Sequence, residues 1–192
     1  TASHRTEHVM TASSMEQLKS LTARPEFAAL SLELSLFNIF ATAFCAYLHR
    51  VSDAETLSIG APVHNRATLE FKNTIGLFIE LHPILVVANS EDTFVSLHEK
   101  VSESSYEHLK LAASHKGGIT AARGFNVVLN YIKAGFDAFG EFPCEAEWLH
   151  NNHIDPQHSL RFQVVDLTGK GRIKLCFDFR SEEHTSELQS PD

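Results

Sequence analysis

Apolar positions along this chain change period from segment to segment, and the changes mark out its elements. Between residues 36 and 48 they fall at Leu36, Phe37, Ile39, Phe40, Ala43, Phe44, Tyr47 and Leu48. That i, i+3, i+4, i+7 spacing predicts a helix buried over a wide face, with Ser35 placed to cap it. Residues 15–21 give a shorter helix, which Arg24-Pro25 interrupts. A third helix opens at Ser90 and runs to about residue 110, with Phe94, Leu97, Val101 and Leu109 on its apolar face. Elsewhere the period is two. Residues 56–62 and 78–88 read as strands, Pro83 marking a bulge or an edge in the second. Residues 125–132, FNVVLNYI, have strand composition. Near the end, Leu160, Phe162 and Val164 alternate with Arg161 and Gln163. Ile173, Leu175, Phe177 and Phe179 then alternate with Arg172, Lys174, Cys176 and Asp178. Thr168-Gly169-Lys170-Gly171 supplies the turn of this hairpin. Residues 1–14 are polar and without period; 64–74, 114–124 and 135–157 read as loop. The pattern predicts an α/β fold, an open mixed sheet with helices mainly on one face.

Composition narrows the function classes. Hydrophobic residues at 43% and charged residues at 21% fit a globular domain rather than a disordered chain. A net charge of −8 with no basic stripe argues against nucleic acid as a partner. The three cysteines, Cys45, Cys144 and Cys176, are far apart and form no C-x-x-C pair. That excludes a disulfide framework and suits a reducing, cytoplasmic setting. The apolar run at 36–48 contains Asn38 and Thr42 and reads as too short to span a bilayer, so no membrane partner is expected.

The last residues break abruptly from the strand before them. RSEEHTSELQS, residues 180–190, has no apolar periodicity and resembles the translation of a common sequencing-library adapter. The domain is therefore read as residues 1–179, and 180–192 is set apart as an artefact tail.

Chemistry-bearing residues, taken alone, name no function. His150, His153 and His158 lie with Asp155 in WLHNNHIDPQH, but their spacing matches no tight zinc pattern, and a polar loop is the expected reading. Gly117-Gly118 lacks a phosphate-cradling pattern. Serines, histidines and acids are plentiful, yet no G-x-S-x-G elbow supports a nucleophilic triad. Glu91 and Asp92 stand at a helix start, where carboxylates complement the helix dipole.

Two motifs carry more. FNIFATAFCAYLHRVSDAETLSIGAPVHNR, residues 37–66, has Ile59, Gly60, Pro62, Val63 and Arg66 in the order I-G-x-P-V-x-x-R. IGLFIELHP, residues 75–83, follows the pattern I-G-x-F-V-N-T-x-P through Ile75, Gly76, Phe78 and Pro83, with Ile79 a conservative replacement. With EDTF at 91–94, FNVVLNY at 125–131 and the FQVVDL and KLCFDF strands, the chain resembles the carboxyl-terminal subdomain of nonribosomal-peptide-synthetase condensation domains. The resemblance covers most of residues 15–179.

That resemblance implies a chloramphenicol-acetyltransferase-like fold of two halves with a channel between them. It implies an acyltransferase parent in which an acceptor amine attacks a donor thioester to form an amide. No cofactor would be bound; both substrates arrive on the phosphopantetheine of partner carrier proteins. Further partners implied are the amino-terminal subdomain and a neighbouring adenylation domain. The family's reaction centre, His-His-x-x-x-Asp-Gly, does not occur here, since no His-His pair exists in the chain. No catalytic residue is assigned, and the chain alone is expected to be inactive. Same-fold alternatives are an epimerisation domain, a free-standing acyltransferase and a non-catalytic docking domain.

Motif position makes Glu80, His82 and Asn130 the candidates for the channel wall, Glu80 and His82 also as the polar face of an alternating strand. Gly60, Pro62, Arg66, Gly76 and Phe78 are the structural motif residues. Of these the glycines are expected where the backbone needs room, Arg66 as the anchor of a loop, and Phe78 in the core. Two departures stand out: Glu80-Leu81 replaces the family's Asn-Thr step, and Ser114-His115-Lys116 is a poor match to its later His-Gln-Asp motif.

Overall fold

A computed structural model describes residues 1–66, 69–114, 124–135, 138–168 and 172–180. The chain divides into two compact units: one holds residues 1–16 and 126–192, the other residues 17–125. Helix α1 (Ala12–Thr22) runs across the division.

The 17–125 unit is a two-stranded ribbon backed by two long helices. A 3-10 turn at Pro25–Phe27 leads into α2 (Leu32–Ser52). The cap of α2 is Ser31, whose hydroxyl accepts from the Leu34 amide, not the expected Ser35. Ser35 instead accepts from the Ala29 amide and locks the entry turn. The buried face of α2 includes Leu36, Ile39, Phe40, Phe44 and Cys45, together with Asn38 and Thr42. With 21 residues, α2 is long and apolar enough to cross a membrane, contrary to the expectation from residues 36–48, yet half of its most apolar window is buried inside the protein. Two of its polar positions meet α4 (Phe94–Ser114): Thr42 Oγ1 lies 3.0 Å from His98 Nδ1, and Asn38 Nδ2 donates to Ser102 at 3.2 Å.

Helix α4 begins with a reciprocal cap, later than Ser90. Thr93 accepts from the Ser96 amide, and Ser96 Oγ accepts from the Thr93 amide. Asp92 adds a carboxylate at this end and holds Lys100 at 2.7 Å. The buried stripe of α4 is Leu97, His98, Val101, Ser105 and His108. Phe94 and Leu109, expected on that face, are exposed, and two histidines take their places.

Strands β2 (Thr56–Val63) and β3 (Glu80–Val87) pair antiparallel without a break, from Thr56↔Val87 to Val63↔Glu80. Pro83 sits in register opposite Gly60, so there is no bulge; β2 is the single strand beside β3 among the described residues. β3 starts at Glu80, leaving Phe78 outside it, and the loop between the strands holds a one-turn helix, α3 (Leu69–Lys72).

The other unit is a four-stranded mixed sheet in the order β1-β8-β7-β4. β4 (Val127–Lys133) and β7 (Leu160–Asp166) are parallel; β7, β8 (Lys174–Arg180) and β1 (Ser3–Val9) are antiparallel. The predicted β7–β8 hairpin is present, with residues 169–171 of its turn outside the described residues. β8 continues through Arg180, one residue beyond the expected domain end, and 181–192 are outside the described residues. Residues 1–14, read as featureless, hold β1 and the start of α1. A small ribbon, β5 (Ala138–Phe139) with β6 (Phe142–Pro143), interrupts the stretch expected to be irregular.

The face assignment of β8 is reversed from expectation. Cys176 and Asp178 are fully buried, whereas Leu175, Phe177 and Phe179 are half-exposed. The cause lies in the neighbouring strands. Arg5, Asp178 and Arg161 are directly opposite one another across β1, β8 and β7, and Glu7, Cys176 and Gln163 form the next row. Paired charges make that polar face self-sufficient under cover.

Candidate functional site

The sequence motifs converge on the loop between β2 and β3. Arg66 leaves the end of β2 and donates to three backbone carbonyls: Phe71, Thr74 at 2.7 Å and Gly76 at 2.9 Å. Its guanidinium lies over the Phe78 ring, 4.5 Å from the centroid, and Phe78 packs at 5.6 Å on Phe71. A planar fork with five donors suits such a clasp. Phe78 is therefore half-buried under Arg66 rather than in the core. Gly60 is a close-approach position: a β-carbon there would come 2.3 Å from the Phe125 ring. At Gly76 the same atom would meet Phe78 at 3.1 Å. Pro62 lies in β2 opposite Leu81.

Glu80 and His82 are brought together, but not on an outward face. They continue the row of Ile84 and Val86, the buried side of β3. Leu85 and Val87 are the exposed positions, so the polar-face expectation is overturned. The row ends in polar groups because it reaches the rim of the unit. There Glu80 accepts from Asn65 Nδ2 at 3.1 Å, and its carboxylate lies 3.4 Å from His82 Nε2. The ring of His108, from α4, meets His82 edge-on at 5.5 Å. Burial lowers the His108 pKa to about 4, and the neighbouring His82 adds to that shift, while a hydrogen bond to the Pro83 backbone opposes it. Sequence reading missed His108 because a histidine at a helical core position looks polar. Asn130 belongs to the other unit, on β4 opposite Gln163.

The sheet unit carries a second polar centre that no motif announced. Asp178, with no solvent exposure, accepts from Arg5 at 2.6 and 3.1 Å, from Arg161 Nε at 2.9 Å and from Gln163 at 2.7 Å. Burial alone pushes this carboxyl up; the hydrogen bonds from Arg5 and Arg161 overcome it and hold the pKa below the usual carboxylate value. His150 Nδ1 stands 3.6 Å from Asp178, and His150 Nε2 is 3.1 Å from Ser3 Oγ. Ser, His and Asp thus stand in the order of a nucleophilic triad. The chemistry does not follow, because Ser3 is buried at 4% exposure and Asp178 is already engaged by two arginines. His153 bridges to Ala2 with its ring against the Asn151 carbonyl, and His158 is buried. Among the described residues no three His, Cys, Asp or Glu side chains are grouped to hold a metal. Gly117-Gly118 and His115-Lys116 lie outside the described residues.

Comparison with known proteins decides the family. The condensation-domain family model matches residues 11–115, more than half of the chain. This chain belongs to the condensation-domain family. Its α2, β2, clasped loop, β3 and α4 are thus condensation-domain elements. The PKS-NRPS hybrid synthetase psoA of Aspergillus fumigatus is 36% identical over 73 residues, which is 38% of this chain and 2% of that protein. The linear gramicidin synthase of Brevibacillus parabrevis is 32% identical over 73 residues, 38% of this chain and 1% of the matched polypeptide. Among solved structures, the starter condensation domain of rhizomide synthetase aligns over 97% of this chain and 41% of its own, at TM-score 0.72 and 17% identity. The first condensation domain of the CDA synthetase aligns over 97% and 40%, at TM-score 0.71 and 14% identity. At those identities the structures establish the fold, chloramphenicol-acetyltransferase-like, and the chain spans about two-fifths of each.

Proposed function

We propose that this chain is the carboxyl-terminal part of a condensation domain whose whole parent joins two carrier-protein-bound thioesters through an amide bond. The supporting observation is the condensation-domain match over residues 11–115, made by a chain whose fold follows solved condensation domains over nearly its whole length. Substrates come on phosphopantetheine from donor and acceptor carrier proteins, an adenylation domain neighbours the parent, and the setting is the cytoplasm. The chain by itself holds no His-His pair to position or deprotonate an acceptor amine, so it does not catalyse the reaction alone. Glu80, His82 and Asn130 remain the proposed channel-wall residues. Of the three, Glu80 offers substrate a partly exposed carboxylate held in place by Asn65.

The test is reconstitution. The reading frame is extended in the source DNA to a whole domain, which is purified and mixed with loaded donor and acceptor carrier proteins. Amide product by intact-carrier mass spectrometry is expected with the whole domain and not with the 192-residue chain. Inverted stereochemistry without condensation, or transfer to a soluble acceptor, would replace this reading with an epimerisation domain or a free-standing acyltransferase. A whole domain lacking the His-His motif and all activity would make it a docking domain.

A further inference from the structure

The sheet unit carries a cavity of about 760 Å³, lined by the start of β8 and by the segment just before His150. Val9, Lys174 and Val165 form one cross-strand row in its lining, with Val165 buried and Val9 59% exposed. Trp148, the single tryptophan of the chain, also lines it and is 42% exposed. Charges of both signs share this space. Glu145 and Glu147 come from the segment of Trp148, and Arg172 and Lys174 from the start of β8. Lys174 is engaged by Glu7 at 3.1 Å, whereas Arg172, Glu145 and Glu147 have no hydrogen-bond or ion-pair partner among the described residues. Opposite charges that line one cavity pair with each other when the chain can adjust. Here both walls are tied down. Arg5 donates to the Trp148 carbonyl at 2.9 Å, and His150 Nε2 lies 3.1 Å from Ser3 Oγ. On the other wall the Met10 amide donates to the Ile173 carbonyl at 3.0 Å, and Ile173 is buried. An apolar floor with a few separated polar groups, in a volume of this size, is the make-up of a small-molecule site.

We propose that this cavity binds a short peptide with both termini free. The peptide carboxylate meets Arg172, whose planar fork matches it. The terminal ammonium meets Glu145 and Glu147 beside the Trp148 ring, an aromatic face that attracts cations. An apolar side chain between the termini covers Val9 and Val165. The class of ligand follows from charge. A simple anion would leave the two carboxylates unmatched, and a simple cation would leave Arg172 unmatched. A peptide supplies both charges at the ends of a neutral, partly apolar body. The lining lies outside residues 11–115, and the site does not depend on the condensation reading of the parent.

Because Trp148 is the one tryptophan of the chain, its fluorescence reads this cavity directly. The tripeptide Ala-Leu-Ala, titrated to about 10 mM, is expected to change that emission saturably, with a dissociation constant in the millimolar range or tighter. Its N-acetylated and carboxamide forms should bind at least about tenfold more weakly, each having lost one charge-assisted contact. Arg172→Gln should bind the free peptide and its carboxamide equally. Glu145→Gln with Glu147→Gln should bind the free and the acetylated peptide equally. The replaced side chains have no partner in the fold, so circular dichroism should not change in either variant. Absence of a saturable response overturns the proposal, and so does equal binding of free and blocked peptides by the wild type. A response that keeps its end-group preference in both variants also overturns it, since the charges are then read elsewhere. If the isolated chain aggregates, saturation-transfer NMR of the same peptides with the whole parent domain and its variants gives the same decision.

Discussion

Arg5, on the first strand, and Asp178, on the last, lie directly opposite each other and share hydrogen bonds of 2.6 and 3.1 Å across 173 residues of sequence. The pair ties the edge strand β1 to its neighbour β8, the first and last strands of the unit in sequence. Arg161 supports the carboxylate from the other side, so the buried charge has two cationic partners. A buried ion pair of this kind adds little net stability, yet breaking it leaves an uncompensated charge inside the protein.

Loss of Asp178 is therefore expected to be severe. Asp178→Ala strands Arg5 and Arg161 together and should cost about 3–5 kcal/mol, read as a lowered urea midpoint at unchanged slope. Arg5→Met combined with Asp178→Leu should cost less than Asp178→Ala alone. The pH dependence has a definite sign. The folded pKa of Asp178 is depressed, so its contribution is present above the ordinary value of 3.8 and is lost as pH falls through the lower folded value. Equal urea midpoints for wild type and Asp178→Ala at pH 7 would show that the network carries no load.

The Ser3–His150–Asp178 alignment is expected to be inert. A serine 4% exposed has no path to an acyl donor, and Asp178 is committed to arginines. A fluorophosphonate probe followed by intact mass analysis should leave the folded protein unlabelled. An adduct on Ser3 that disappears in His150→Ala would reverse this conclusion.

Acid should weaken the two-helix unit before it touches the Asp178 centre. His108 is depressed to about 4 from 6.5 by burial and by the neighbouring His82, and burial lowers His98 in the same direction. The unfolded chain binds these protons first, so stability is complete above pH 6.5 and falls as pH drops toward 4. For His108 the full loss is roughly 3 kcal/mol. Denaturant midpoints measured from pH 7 to pH 4 should slope downward, and His108→Gln should flatten part of that slope. A flat profile in the wild type would mean that His108 is accommodated in its charged form.

Helical and strand periodicity located α2, β2, β3, α4, β4, β7 and β8, because each of these buries apolar side chains at a regular period. It failed where polar residues do the burying. Ser3, Arg5 and Glu7 give β1 no apolar signal, yet Arg5 and Glu7 pair with Asp178 and Cys176. The same pairing reversed the faces of β8. On α4, His98 and His108 occupy core positions that a hydrophobic count assigns to Phe94 and Leu109. The loop motif was legible as a pattern, since Gly60, Arg66, Gly76 and Phe78 each answer a local geometric demand. Which groups Arg66 would grasp was not, because backbone carbonyls leave no mark in a sequence.

Gly60 gives the most direct test of that motif. A β-carbon there would lie 2.3 Å from Cε2 and 2.5 Å from Cδ2 of Phe125, whose side chain is buried. Those separations are far below contact distance, so either the ring or the β2–β3 ribbon must move. Gly60→Ala is expected to cost about 1–3 kcal/mol by overpacking. Because the conflict is with one ring, Phe125→Leu in the same chain should recover part of the loss, giving a coupling of at least about 0.5 kcal/mol in a double-mutant cycle. If the two substitutions add without coupling, the glycine is required by the strand backbone instead, and the close approach of Phe125 is incidental.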